Sequence, residues 1–181
     1  MATDDGSDPT LILVTGPAGS GKTTLAHELA RRIGCPALCR DELKEGMVHS
    51  HPGFVPDTSD PLTIRTYELF FTTIDLWLGD EVTLVAEAAF QDRIWRQGLD
   101  TLDATADIRV VRCTVDPEVA QARLLSRIDD QPTRRAHADL QHATARASFV
   151  PISLDRPTID VDTSDGYRPA LDAIERFLTS R

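Results

Sequence analysis

The sequence predicts an α/β fold, a three-layer α/β/α sandwich around a five-stranded, mainly parallel sheet. Short apolar runs rich in β-branched residues alternate with segments of helical spacing along the chain. The run at residues 108–115 is almost continuously apolar, which is typical of a strand covered on both faces. The length of 181 residues suits one core. We therefore expect a disordered tail at residues 1–9 and a single domain over residues 10–181.

Each strand is predicted from a short apolar run that ends at a polar residue or a glycine. The predicted strands, in chain order, are residues 10–15, 36–39, 82–86, 108–115 and 158–161. The first of them ends at the glycine-rich segment that begins with Gly16. The third is followed directly by Glu87.

The helices are predicted from apolar spacing and from their start and stop signals. Leu25, Leu29 and Ile33 share one face of the first helix, and Pro117 suits the first turn of a later one. Three prolines and a glycine mark residues 50–61 as an irregular loop. The predicted helices are residues 21–33, 42–48, 62–78, 91–102, 117–128 and 167–178, with a further helical stretch that ends near residue 149.

Composition and charge narrow the classes of partner. The chain has 19 Lys and Arg against 29 Asp and Glu, a formal net charge of −10. Nucleic acid is therefore an unlikely main partner, because nonspecific affinity for it depends on clustered positive charge. No apolar stretch approaches the roughly 20 residues of a membrane-spanning helix, so no membrane partner is expected. The cysteines, Cys35, Cys39 and Cys113, form no CxxC pair, which favours reduced thiols and a cytoplasmic location.

A phosphate-binding loop is the strongest motif. Residues 16–23, GPAGSGKT, match GxxxxGK[ST] between a predicted strand and a predicted helix. Such a loop turns its N–H groups inward and adds the positive helix end, so it holds phosphates. Lys22 is expected to reach the β and γ phosphates of ATP, and the Thr23 hydroxyl to bind Mg²⁺. The expected nucleotide-binding residues of the loop are Gly16, Ala18, Gly19, Ser20, Gly21, Lys22, Thr23 and Thr24. The alternative is a glycine-rich turn with a surface lysine.

The loop and later polar residues together resemble the small P-loop kinases. Arg40-Asp41 follows the second strand, Glu87 ends the third, and arginines recur between residues 123 and 135. Gluconate kinases, chloramphenicol phosphotransferase and the zeta toxins belong to this group, and the nearest likeness is to predicted kinases of the AAA type. It covers nearly all of the chain after residue 9, although only the loop is highly specific. The resemblance implies transfer of the γ phosphate of ATP, with Mg²⁺, to a hydroxyl of a small molecule.

Two acidic residues match places that carry chemistry in that group. Asp41 matches the carboxylate that takes the proton of the attacking hydroxyl, and its alternative role is to cap the helix at residues 42–48. Glu87 matches the acid that holds Mg²⁺ directly or through water, although the group more often has Asp there. Glu87 is also the second candidate for the base. Its alternative is a capping carboxylate at the end of a strand.

Arginines after the fourth strand suggest a lid over the nucleotide, around residues 123–136. Arg123 and Arg127 stand four residues apart, which places both on one helical face, and Arg134 follows in a polar segment. We expect Arg123, Arg127 and Arg134 to bind the nucleotide and Arg127 to act in catalysis by neutralising the transferred phosphoryl group. A solvated surface helix is the alternative. The acceptor is expected against an insertion around residues 50–78.

Two other functions share this nucleotide machinery. One is a zeta-toxin-like or polynucleotide kinase, although the acidic charge argues against a polynucleotide substrate. The other is a regulatory ATPase that transfers no phosphate to an acceptor. The sequence contains no NKxD motif for reading guanine. No oligomeric state is predicted.

Overall fold

The computed structural model describes residues 8–55, 60–90, 95–96, 98–99, 102, 106–130 and 149–180, with only the backbone for 127–130. Five strands and five helices have their bounds in these ranges, and residues 95–96, 98–99 and 102 are also helical. The strands are β1 (Thr10–Thr15), β2 (Ala37–Cys39), β3 (Leu84–Glu87), β4 (Asp107–Thr114) and β5 (Thr158–Asp162). The helices are α1 (Lys22–Ile33), α2 (Arg40–His49), α3 (Pro61–Gly79), α4 (Pro117–Asp130) and α5 (Leu171–Thr179).

The five strands form one parallel sheet in the order β2-β3-β1-β4-β5. Val14 of β1 lies opposite Glu87 of β3, and Glu87 lies opposite Cys39 of β2. The segments that follow β1, β2 and β3 therefore leave the sheet at the same edge. The predicted α/β class and the parallel sheet are confirmed.

Alternate residues of the central strands face two separate apolar clusters. Leu11 and Leu13 of β1 pack with the buried side of α3 and with Trp95, Leu99 and Leu102. Ile12 and Val14 pack on the other face with α1 and α5. Because the side chains of a strand alternate in direction, one strand contributes to both layers of the sandwich.

Several element boundaries differ from the predicted ones. Helix α2 begins at Arg40, two residues before the predicted start, with Cys39 as its N-cap residue. Helix α3 begins at Pro61, where the carboxylate of Asp60 accepts a hydrogen bond from the Thr63 N–H at 2.8 Å. Strand β3 begins at Leu84 rather than Val82 and contains Glu87. Helix α5 begins at Leu171 rather than Tyr167.

Some sequence predictions lie outside the described residues. They include most of the tail at residues 1–9, much of the helix at residues 91–102 and the helical stretch ending near residue 149. Within the residues that are described, no helix is both long enough and apolar enough to cross a membrane.

Candidate functional site

The segment at residues 16–21 between β1 and α1 is held in a conformation that requires glycine. Gly16 and Gly19 have φ angles of 154° and 78°. A Cβ atom on Gly16 would stand 2.6 Å from the Cys113 carbonyl oxygen, and one on Gly19 would stand 2.6 Å from the Ala120 carbonyl oxygen. The segment is thus packed directly against β4 and α4, so its shape is set by the main chain around it.

Two distant residues fix the direction of the peptide groups in this loop. The Thr163 hydroxyl lies 2.8 Å from the Ser20 carbonyl oxygen, and an Arg123 Nη donates to the Gly19 carbonyl oxygen at 3.4 Å. The C=O and N–H of a trans peptide point in opposite directions, so anchoring the Ser20 carbonyl turns the Gly21 N–H to the other side of the loop. One side of the loop is therefore hydrogen-bonded to the rest of the protein, and the other side has an N–H available to an anion.

Lys22 and Thr23 converge on Glu87 at the carboxyl end of β3. The Thr23 hydroxyl donates to Glu87 Oε2 at 3.0 Å, and Lys22 Nζ lies 3.9 Å from Glu87 Oε1. Lys22 Nζ also donates to the Pro17 carbonyl oxygen at 3.2 Å, which draws the ammonium group over the loop. Thr23 and Glu87 are 64 positions apart in the chain. These contacts bring a cation, a hydroxyl and a carboxylate to one point at the mouth of the loop.

Glu87 is an unusually buried carboxyl group, with 2% of its surface exposed. Burial raises the pKa of Glu87, the positive charge of Lys22 opposes this, and the negative charge of Asp41 adds to it. A further cation would stabilise the ionised form of Glu87, because a second positive charge would offset the loss of hydration that burial causes.

Asp41 lies in the first turn of α2, and Cys39, the strand residue before that helix, is in register with Glu87. Asp41 accepts a hydrogen bond from Arg40 at 3.0 Å, and about 39% of its side chain is exposed. The alternative prediction that Asp41 caps the helix is wrong, because α2 begins at Arg40 and Cys39 is the N-cap residue. Asp41 is thus a partly exposed carboxylate beside the loop, while Glu87 is enclosed.

Arg123 lies against the phosphate loop and the segment after β5. One of its Nη atoms donates to the Thr163 carbonyl oxygen at 2.7 Å, in addition to the Gly19 contact. Arg127 lies in α4, and its side chain falls outside the described part of the chain. Arg134 also lies outside the described residues. The structure therefore places one of the three predicted nucleotide-binding arginines beside the loop.

A buried ion pair that was not predicted from the sequence joins α2 to the start of α3. Lys44 Nζ donates to Asp60 Oδ2 at 2.9 Å and to the Thr63 hydroxyl at 2.7 Å. Both charged side chains are buried. One available signal was Asp60-Pro61, an N-cap residue followed by a proline suited to the first helical turn. The pair joins α2, which carries Asp41, to the segment predicted to hold the acceptor.

The described residues fit a Mg²⁺-bound triphosphate. The loop has glycines where a Cβ would collide with the main chain, and Thr23 and Glu87 offer two neighbouring oxygen ligands. Ser20 Oγ and Arg40 Nε are buried polar atoms with no hydrogen-bond partner among the described residues. Unpaired buried polar atoms of this kind are expected beside a polar ligand.

Comparison with known proteins agrees with this interpretation of the loop. Residues 11–152 match the family model described as an AAA domain. No curated protein sequence matches the chain significantly. The structure is similar to that of a candidate kinase from Chloroflexus aurantiacus, with 27% identity, a TM-score of 0.80, and coverage of 94% of this chain and 97% of that chain.

Two more distant structures share the fold. A gluconokinase from Sinorhizobium meliloti has 18% identity and a TM-score of 0.56, with coverage of 95% of this chain and 93% of that chain. A chain of an RNA repair complex has 17% identity and a TM-score of 0.59, with coverage of 86% of this chain and 52% of that chain. The α/β fold is thus common to proteins whose sequences have diverged widely from this one.

Proposed function

Because the chain belongs to the AAA domain family, we propose that it is a cytoplasmic P-loop kinase that transfers the γ phosphate of ATP to a hydroxyl of a small molecule. The observation that carries this proposal is the convergence of Lys22 and Thr23 on Glu87, with Asp41 beside them at the same edge of the sheet. The similarity of the whole chain to a candidate kinase from Chloroflexus aurantiacus supports it, and the fold shared with a gluconokinase is compatible with it.

In this proposal the phosphate loop and Lys22 bind the triphosphate. Residues 16–24 supply backbone N–H groups and hydroxyls, and Lys22 leaves the Pro17 carbonyl to pair with the β and γ phosphates. Thr23 and Glu87 would hold Mg²⁺, which supplies positive charge to the phosphate oxygens when it is bound. Arg123 keeps the loop in shape, while Arg127 and Arg134 are proposed to close over the nucleotide.

Asp41 is the proposed general base. Its exposed carboxylate can meet an acceptor hydroxyl, whereas Glu87 is enclosed and already bonded to Thr23. In the transfer, a bond forms between the acceptor oxygen and the γ phosphorus, and the bond from that phosphorus to the β,γ-bridging oxygen breaks. The acceptor proton passes to Asp41, and ADP leaves.

The test is ADP release in the presence of a panel of sugars, polyols and nucleosides, with an RNA 5′-hydroxyl oligonucleotide as a separate arm. A small-molecule kinase is expected to release ADP well above its acceptor-free rate with at least one small acceptor. Stimulation by RNA alone would identify a polynucleotide kinase. An acceptor-free rate that no compound changes would point to a regulatory ATPase.

Two variants separate binding from transfer. Lys22→Ala is expected to weaken ATP binding at least about tenfold, because a charge-assisted contact to phosphate is lost. Asp41→Asn is expected to keep ATP affinity and to lower transfer by about 10²-fold or more. Asp80→Asn, an exposed change before β3, at the end of that strand opposite to Glu87, is the matched control and should leave both unchanged. Native transfer rates in Asp41→Asn would show that the base is another residue.

A further inference from the structure

A second group of polar side chains lies where α1, β2 and α2 meet. His27 is on α1, Cys39 is the last residue of β2, and Glu42 is in the first turn of α2. Their ligand atoms, Nε2, Sγ and a carboxylate oxygen, all lie within 4.8 Å of one another. None of the three has a part in the proposed phosphate transfer.

Two of the three distances between these atoms are close to those around one metal ion. The third pair, Cys39 Sγ and the Glu42 oxygen, lies within 4.8 Å and would have to approach by up to about 1.3 Å. His27 Nε2 lies 2.8 Å from Glu42 Oε1 and 3.7 Å from Cys39 Sγ. Bonds to tetrahedral Zn²⁺ of about 2.3 Å from sulphur and about 2.0 Å from nitrogen place those two ligand atoms about 3.5 Å apart. The sulphur and nitrogen already stand near that distance, and the nitrogen and oxygen need to separate by only about half an ångström.

The surroundings favour a positive ion. Cys39 is 2% exposed, so the sulphur forms the inner side of the group, while His27 and Glu42 are half exposed and open to solvent. Burial raises the pKa of the Cys39 thiol, and the nearby carboxylates of Glu87 and Glu42 raise it further. A cation bound to the sulphur would offset both effects, because it stabilises the thiolate. A cation bound to the three side chains would be enclosed on one side by protein and by negative charge, and open to water on the other.

We propose that His27, Cys39 and Glu42 form a three-ligand binding site for Zn²⁺ or a similar transition-metal ion, with water in the fourth position. Sulphur and imidazole ligands select such ions over Mg²⁺, which prefers oxygen. Binding releases the Cys39 thiol proton to solvent and leaves the His27 proton on Nδ1. The ion joins α1 to the first turn of α2, so it stabilises the contact between the helix that follows the phosphate loop and the helix that carries Asp41.

The site can be tested with Co²⁺ as a spectroscopic probe in a large excess of Mg²⁺. The native protein is expected to bind one Co²⁺ with a thiolate-to-cobalt absorption band, and Zn²⁺ is expected to displace it. Oxygen ligands such as Thr23 and Glu87 give no such band, so the signal separates this site from a Mg²⁺ site. Absence of the band in folded native protein would overturn the proposal.

Variants identify the ligands. His27→Gln and Glu42→Gln change half-exposed side chains, and each is expected to weaken Co²⁺ binding more than about tenfold. Cys39→Ser should abolish the band. Because Cys39 is buried, its replacement can prevent folding, and in that case the two surface variants decide the result. Cys35→Ser is the matched control and should keep the band. Full-strength binding in either surface variant, or loss of the band in Cys35→Ser, would refute the three-ligand site.

Discussion

Replacing Gly19 by alanine tests whether packing against α4 shapes the phosphate loop. Gly19 has a φ of 78°, and Gly34, at the end of α1, has a φ of 82°. An alanine Cβ at residue 19 would stand 2.6 Å from the Ala120 carbonyl oxygen, whereas at residue 34 it would meet nothing within 4 Å. An alanine at either position therefore has to adopt a similar left-handed backbone conformation, and only the alanine at residue 19 is also crowded by neighbouring atoms.

The shared cost of a left-handed alanine is about 1 to 2 kcal/mol. Crowding of a packed site typically adds about 1 to 3 kcal/mol, since the neighbouring main chain has to move. We expect Gly34→Ala to lower the free energy of unfolding by about 1 to 2 kcal/mol and to leave ATP affinity unchanged. Gly19→Ala is expected to lower it by about 2 to 5 kcal/mol and to weaken ATP binding.

Urea unfolding followed by circular dichroism gives the two free energies, and calorimetric titration with ATP gives the two affinities. Because both variants replace glycine by alanine, subtracting one loss of stability from the other removes the effect of alanine on the unfolded chain. Equal losses of stability, together with native ATP affinity in Gly19→Ala, would refute the reasoning that α4 shapes the loop.

Two further predictions concern buried carboxylates. Burial raises the pKa of Glu87, so ionisation of Glu87 costs stability as pH rises through that pKa. The free energy of unfolding of Glu87→Gln, compared with that of the native protein, should therefore increase as pH rises, while phosphate transfer falls. A difference in urea midpoint between this variant and the native protein that stays the same from acid to neutral pH would contradict it. Burial opposes ionisation of Asp60, but hydrogen bonds from Lys44 and Thr63 outweigh it and lower its pKa. The contribution of ionised Asp60 to stability is then complete above pH about 4 and is lost as pH falls through the lowered pKa. Asp60→Asn should therefore lower the free energy of unfolding by about 3 kcal/mol at pH 7, and by progressively less below pH about 4. A loss of stability in Asp60→Asn that is the same at every pH would show that the charge of Asp60 does not cause it.

The features that could be predicted from the sequence are local ones. Residues 10–15 and the glycines after them form a continuous pattern, and the strand–loop–helix unit appears as expected. Asp41 and Glu87 were selected because they match places that carry chemistry in the resembling kinases, and parallel strands bring such positions to one edge. These inferences need the resemblance together with chain order and the parallel direction of the sheet.

The features that were missed depend on contacts between distant positions. Arg123 reaches Gly19 across 104 residues, and no spacing rule relates the two. Lys44 and Asp60 are 16 residues apart, and the sequence between them has no periodic pattern that predicts their pairing. Cys39 was expected only as a reduced thiol. The proximity of His27 arises from the packing of α1 over the strand edge.

The hydroxyl of Thr163 gives the segment after β5 an influence on a ligand that it need not touch. Thr163 lies within hydrogen-bond distance of the carbonyl oxygens of Ser20 and Thr114, and it is almost fully buried. Valine at residue 163 would keep the volume of the side chain but would lose the hydroxyl that holds the Ser20 carbonyl oxygen, so the Ser20 peptide group would be free to rotate. In the proposed function, phosphate affinity would thus depend in part on a residue 143 positions downstream of Ser20 that makes no contact with the ligand.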